Sequence, residues 1–121
     1  MSKKILMVED SPSVRQLMSF TLRGAGYEVI EAYNGLEALE KFESEPVDMV
    51  ITDFNMPKMD GLALTKELRS SAQNRFMPIV MLTSVDDDSV RQEVRNAGAS
   101  GWISKPFKPA QLLNVVKMVI N

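Results

Sequence analysis

The sequence predicts an α/β domain built on a doubly wound, five-stranded parallel sheet with five helices. Three observations point there. Short apolar runs recur at even spacing along the chain. Each is followed by an amphipathic stretch with helical periodicity. The runs are apolar at consecutive positions, as strands covered on both faces are, instead of alternating as half-exposed strands do. The strand–helix pair repeats five times with no linker or shift of composition, so a single domain over residues 1–121 is expected.

The elements follow in order. Ile5-Leu6-Met7-Val8 is the first buried strand. Ser11-Pro12 then sets a capping hydroxyl before a proline at the first helical position. Val14, Leu17, Met18 and Leu22 supply the apolar spacing of that helix, and Gly24 and Gly26 its stop. A weaker strand covers Tyr27–Glu31. Asn34-Gly35-Leu36-Glu37 resembles a capping box, with Leu36, Leu39 and Phe42 as the stripe behind it. Met49-Val50-Ile51 runs into Thr52 and Asp53. A third helix after Asp60-Gly61 carries Leu62, Leu64 and Leu68. Ile79-Val80-Met81-Leu82 ends at Thr83. Asp86 to Asp88 open a fourth helix, with Val90 and Val94 inside and Gly98 as its stop. Trp102-Ile103 is the last strand and ends at Lys105-Pro106. Pro109 starts the fifth helix, which carries Leu112, Val115, Val116 and Val119. Right-handed crossovers leave few ways to join five such units. The flavodoxin-like strand order 2-1-3-4-5 is the expected one, with its site beyond the carboxyl ends of the strands near the reversal of order.

Composition narrows the chemistry. Hydrophobic residues are 45% and charged residues 25%, ordinary for a globular domain and too apolar for a disordered tail. Lys and Arg number 14 against 16 Asp and Glu, a net charge of −2, and no basic block exists to neutralise a run of phosphates. Nucleic acid is therefore not an expected partner. Cysteine is absent, which excludes disulfides and thiolate chemistry. Histidine is absent too, which excludes a Ser-His-Asp triad, an imidazole base, an ordinary zinc site and a phosphohistidine on this chain. No run has the roughly 18 apolar residues of a membrane span, and the start is not a signal peptide, because Glu9 and Asp10 interrupt the first apolar run. A cytoplasmic, monomeric protein without membrane insertion is expected.

The strand ends carry the functional signal. Glu9 and Asp10 close the first strand, Asp53 the third and Thr83 the fourth, while Lys105 follows the fifth. In the expected strand order these groups, distant in sequence, meet at one edge. Three carboxylates in one cleft repel one another, so at least one pKa should rise. The Lys105 ammonium and a hard divalent cation would offset that repulsion. Mg²⁺ suits the oxygen donors, since it takes one or two carboxylates, several waters and a phosphate oxygen. Cation, ammonium and the Thr83 hydroxyl around one carboxylate are the parts that neutralise a phosphoryl group in transfer. With no His, Cys or P-loop lysine, a carboxylate is the best available phosphoryl acceptor. A strand-terminal aspartate also commonly caps the next helix, but Ser11 already offers that cap and Asn55-Met56-Pro57 is no helix start after Asp53.

These residues resemble the receiver domain of two-component response regulators over essentially the whole chain. The likeness lies in Glu9-Asp10, in Asp53 with the loop Met56-Pro57-Lys58-Met59-Asp60-Gly61, in Thr83 and in Lys105-Pro106-Phe107. At this length the single-domain, CheY-like chemotaxis regulators are the nearest resemblance. It implies that Asp53 accepts a phosphoryl group from a histidine kinase. It implies Mg²⁺ ligation by Asp10, Asp53 and the Asn55 backbone carbonyl, with Glu9 acting through water. Lys105 pairs with the acceptor and then the phosphoryl oxygens, and Thr83 hydrogen-bonds the phosphoryl group. Ser84 also offers a hydroxyl, and only the resemblance selects Thr83. Lys105-Pro106 is implied to be a cis peptide, Asn55 and Val85 to tune dephosphorylation, and Thr83 and Trp102 to act as the switch. Trp102 departs from the family's usual Tyr or Phe, so it either reports activation or stays outward as a contact residue. A flagellar motor switch protein or a phosphatase is the implied further partner, and Met56 and Met59 are candidates for partner contact.

Other readings compete. A phosphate sink or relay shuttle outside chemotaxis shares the same chemistry. Asp53-Phe54-Asn55 is faintly similar to the D-x-D of aspartyl phosphohydrolases, but that family places its nucleophile after the first strand. A flavin phosphate after the first strand would be repelled by Glu9-Asp10. The expectation is a switch that promotes only its own phosphorylation and dephosphorylation, not an enzyme acting on outside metabolites.

Overall fold

A computed structural model describes residues 2–84 and 87–120. Val85 and Asp86, expected to tune dephosphorylation and to open the fourth helix, lie outside the described residues. Five strands, β1 (Lys4–Val8), β2 (Glu28–Ala32), β3 (Met49–Asp53), β4 (Ile79–Thr83) and β5 (Gly101–Ser104), alternate with five helices. These are α1 (Pro12–Gly24), α2 (Gly35–Ser44), α3 (Gly61–Arg69), α4 (Asp88–Ala97) and α5 (Pro109–Ile120). All pairings are parallel and the sheet order is β2-β1-β3-β4-β5, as the sequence predicts.

Alternation along the strands divides the core into two. Ile5, Met7, Met49, Ile51, Val80, Leu82 and Ile103 face α1 and α5, where Met18, Leu22, Leu112 and Val116 meet them. Leu6, Val8, Val50 and Ile79 face the other way, against Ala38, Leu64 and Leu68. Full burial of each large aliphatic contributes about 1.5–3 kcal/mol. The three inner strands are buried at nearly every position, whereas edge strand β2 is mostly half-buried. That difference explains why Tyr27–Glu31 is the weak run in the sequence.

The caps form largely as read. Ser11 Oγ accepts from Val14 N at 3.4 Å and Asp60 Oδ1 from Ala63 N at 2.8 Å. Asn34 Oδ1 accepts from Glu37 N at 2.9 Å, and Glu37 Oε1 answers by accepting from Tyr33 N, one residue before the cap itself. Asp87 caps α4, and Gly98 ends it in the left-handed conformation at φ 98°. Two details differ from the sequence reading. Leu17 and Leu36, read into the apolar stripes of their helices, are exposed, while Met18 and Ala38 are fully buried. A 3₁₀ turn at Ala72–Asn74 separates α3 from β4, held by Asn74 Nδ2 donating to Leu68 O at 3.0 Å. Met56 and Met59, the candidates for partner contact, are half-buried and pack against the second core.

The loop after β3 is pressed tightly onto its surroundings. Lys58 has φ 68°, and Met59 N donates to Pro57 O at 2.9 Å, closing a γ-turn. Gly61 N donates to Phe54 O at 3.0 Å. A Cβ at Gly61 would stand 2.1 Å from the backbone oxygen of Asp53, so only glycine allows α3 to begin there. Gly61→Ala should destabilise the domain by about 1–3 kcal/mol through this clash. Gly24→Ala, where a Cβ meets nothing within 4 Å, should be stabilising by up to about 1 kcal/mol. Urea midpoints of the two variants check both signs.

Candidate functional site

Strand register brings the expected site residues to one edge. Val8 pairs with Thr52, so Glu9 and Asp53 continue from adjacent strands. Asp53 pairs with Leu82, which puts Thr83 one residue beyond it on β4. Lys105 N donates to Thr83 O at 2.8 Å, which ties the loop after β5 to the end of β4. Ligand oxygens of Glu9, Asp10 and Asp53 lie within 4.8 Å of one another.

Lys105 occupies the centre of this cluster. Its Nζ lies 2.8 Å from Glu9 Oε1 and 2.8 Å from Asp53 Oδ1. Glu9 is fully buried and Asp53 is 6% exposed. Glu9 Oε2 also accepts from Ser11 N at 3.1 Å, and Asp53 Oδ1 from Phe54 N at 3.1 Å. These contacts make burial of two carboxylates tolerable, since a buried charge needs both a counter-charge and hydrogen bonds. Lys105-Pro106 is cis.

The titration behaviour follows from the crowding. Asp10 is exposed as a residue, yet partial desolvation of its carboxyl holds its pKa above the ordinary value, and a hydrogen bond with Glu9 and the Glu9 charge add to the rise. Burial alone would lower the Lys105 pKa, but hydrogen bonds to and charges on Asp53 and Glu9 outweigh it and hold the ammonium above its usual range. One cation against three carboxylates leaves the cleft net negative. Its donors are all hard oxygens, which suits Mg²⁺ and gives a soft metal no ligand.

Thr83 is 2% exposed and Ser84 is exposed, so the structure separates the two hydroxyls that the sequence leaves ambiguous. Thr83 pairs with Ser104 and Met81 with Trp102, so Thr83 and Trp102 share a sheet face. Trp102 is half-buried, with the Arg91 guanidinium 5.1 Å from its ring centroid. Asn55 is exposed in the loop two residues past Asp53. Beside Lys105 an apolar cavity of about 300 Å³ opens between Val14, Leu17, Ser84, Pro106 and Phe107.

One contributor escapes the sequence reading. Arg15 Nη1 donates to the Glu9 carbonyl at 2.8 Å, and its Nε lies 3.4 Å from Glu31 Oε1. The signal available was a charged residue directly beside Val14 at the margin of the apolar stripe of α1, a place where a charge needs partners.

Comparison with known proteins places the fold in a family. The family model of the response regulator receiver domain matches residues 5–117. Chemotaxis protein CheY1 of Helicobacter pylori is 38% identical over 120 residues, covering 98% of this chain and 97% of that protein. The crystal structure of chemotaxis response regulator CheY4 of Vibrio cholerae is 44% identical and superposes with a TM-score of 0.94, covering 98% of this chain and 99% of that one. The transcriptional regulatory protein PhoP of alkaline phosphatase synthesis in Bacillus subtilis is 38% identical over 121 residues, and this chain spans all of its own length but half of that protein. A match of this extent to a single family, on the fold and strand order that family shares, means that the chain belongs to the response regulator receiver domains.

Proposed function

We propose that this chain is a CheY-like phosphorylation switch whose acceptor is Asp53. The observation that carries the reading is the Lys105 ammonium held 2.8 Å from both Glu9 and Asp53 at the centre of three converging carboxylates. Membership of the receiver domains supports a phosphohistidine of a histidine kinase as the donor.

The residues divide the work by position. Asp53 Oδ1 is held by Lys105 and by Phe54 N, which leaves the second carboxylate oxygen to attack phosphorus. A bond forms from that oxygen to phosphorus, the phosphorus–nitrogen bond breaks, and the imidazole leaves with the electron pair. Lys105 then turns from the carboxylate to the phosphoryl oxygens, and the Thr83 hydroxyl donates to another. Asp10, Asp53 and the Asn55 carbonyl would hold Mg²⁺, with Glu9 behind a metal-bound water. That ion supplies the positive charge that neutralises the phosphoryl oxygens as they are transferred. The Asn55 amide orients the water that later hydrolyses the acyl phosphate. No outside metabolite is turned over. Output passes through protein contacts at the Thr83–Trp102 face, and the likeness to CheY proteins favours a flagellar motor switch protein or a phosphatase as the partner.

Incubation with acetyl phosphate and Mg²⁺ should add one phosphate to the wild-type mass and none to Asp53→Ala. An increment that persists in the variant overturns the assignment of the acceptor. Trp102 fluorescence should change under the same conditions; an unchanged spectrum removes it from the switch.

The charge balance gives a pH dependence with a definite sign. Asp10, with its raised pKa, binds a proton more tightly in the folded protein than in the unfolded chain. Without metal, that contribution stabilises the fold as pH falls through the raised value and is lost as pH rises past it. Mg²⁺ competes with this proton, so the increase in Tm caused by Mg²⁺ should grow from acid to neutral pH and flatten in Asp10→Asn. Lys105 has the opposite placement on the scale. Its contribution is intact below the ordinary lysine value and is lost only as pH rises through its higher folded pKa. Tm measured against pH, with and without Mg²⁺, checks both slopes.

A further inference from the structure

We propose that Arg15 is a positioning residue that orients the Glu9–Asp10 peptide, and through it the Asp10 carboxylate, for the divalent cation. The inference rests on the reading of the acidic cleft as a Mg²⁺ site.

The two acidic neighbours are anchored very differently. Glu9 N donates to Ala32 O at 3.1 Å, and its carboxylate is held by Lys105 and by Ser11 N. Asp10 is exposed, and its carboxyl meets its own backbone amide, a hydrogen bond with Glu9 set against the repulsion of the Glu9 charge, and the attraction of the Lys105 charge. The orientation of Asp10 therefore depends on the peptide that joins it to Glu9. That peptide is planar, so holding its oxygen fixes the direction of the Asp10 amide and Cα. Arg15 Nη1 holds that oxygen at 2.8 Å.

Arg15 is itself immobilised from three sides. Its Nε faces Glu31 Oε1 at 3.4 Å, its guanidinium lies 4.2 Å from the centroid of the Tyr33 ring, and its side chain is 14% exposed. Glu31 is held in turn by Arg23 Nη1 at 3.3 Å. The planar fork of a guanidinium can serve a carbonyl, a carboxylate and a ring at once, which an ammonium cannot. Edge strand β2, which carries Glu31 and leads to Tyr33, is thereby connected to the metal site by one side chain. Mg²⁺ demands near-octahedral geometry, so a loosened carboxylate weakens its binding.

Charge and position predict opposite signs, which makes the test decisive. Arg15→Met removes a positive charge near a negative cleft, which by electrostatics alone would tighten Mg²⁺ binding. Loss of positioning should instead raise the Mg²⁺ dissociation constant by about tenfold. Arg15→Lys keeps the charge and should weaken binding in the same direction. Tyr33→Leu keeps Arg15 but removes its platform and should give a smaller loss. Calorimetric titration with MgCl₂ alone, on protein whose circular dichroism matches wild type, measures all three. Unchanged or tightened binding in Arg15→Met and Arg15→Lys overturns the proposal, and should Arg15→Met fail to fold, Arg15→Lys and Tyr33→Leu decide it by the same criterion. A wild-type protein that takes no Mg²⁺ overturns the metal site itself, and the positioning role with it.

Discussion

The ion bridge from Lys105 to Glu9 and Asp53 is the interaction on which the functional end of this protein depends. Two carboxylates that water barely reaches cannot share a cleft unless a cation stands between them. The bridge spans from β1 to the loop after β5, almost the full length of the sequence. It also leaves an imbalance. One ammonium serves three carboxylates, and the pKa of Asp10 is raised, first by partial desolvation and then by its hydrogen bond with Glu9 and the Glu9 charge. A site so arranged favours whatever brings positive charge and accepts oxygen ligands, and this is the physical ground for reading it as a place for Mg²⁺ and a phosphoryl group.

The backbone around the bridge is built to small tolerances. Gly61 lets α3 start against the Asp53 carbonyl, and Gly35 lets α2 start against Met59, where a Cβ would stand 2.5 Å from the Met59 oxygen. Both glycines are needed for closeness of approach, not for unusual dihedral angles. The loop between Asp53 and Gly61 is thus clamped at both ends, by Gly61 N to Phe54 O and by Gly35 N to Met59 O. The carboxylate of Asp53 thus stands on a rigid support. The β5 edge is less constrained. Trp102 lies on an edge strand, half-buried under a cation from α4, so its displacement would not require the central strands to move.

The fold was legible because its two periodicities were clean. Buried parallel strands read as unbroken apolar runs, and Ile79 to Leu82 could be little else. The helices announced their starts at Ser11, Asn34 and Asp60, where the side chains do accept the first free amides. Errors fell at the margins of helix stripes. Leu17 was read into the buried stripe of α1 with Met18 and Leu36 into that of α2, yet both are exposed while Met18 and Ala38 are buried, because periodicity locates the centre of a face better than its edges. The 3₁₀ turn at Ala72–Asn74 has no apolar pattern at all and is held by side-chain bonds to backbone carbonyls. Met56 and Met59 lie in a loop that the γ-turn at Lys58 and the clamp at Gly35 hold against the second core, which loop composition does not announce.

Chain order and residue type alone determined that Glu9, Asp10, Asp53, Thr83 and Lys105 stand at strand ends, because strand ends are written in local composition. Strand order and crossover handedness then brought those ends to one edge. Tertiary structure decided the rest. It buried Thr83 and exposed Ser84, since an unbroken apolar strand does not say which face its last residues take. It placed Lys105 between two acids and left Asp10 without an equal counter-charge. It also recruited Arg15, whose partners Glu9, Glu31 and Tyr33 become neighbours only when β2 pairs with β1. Distances between groups remote in sequence are set by packing, and no local pattern encodes them.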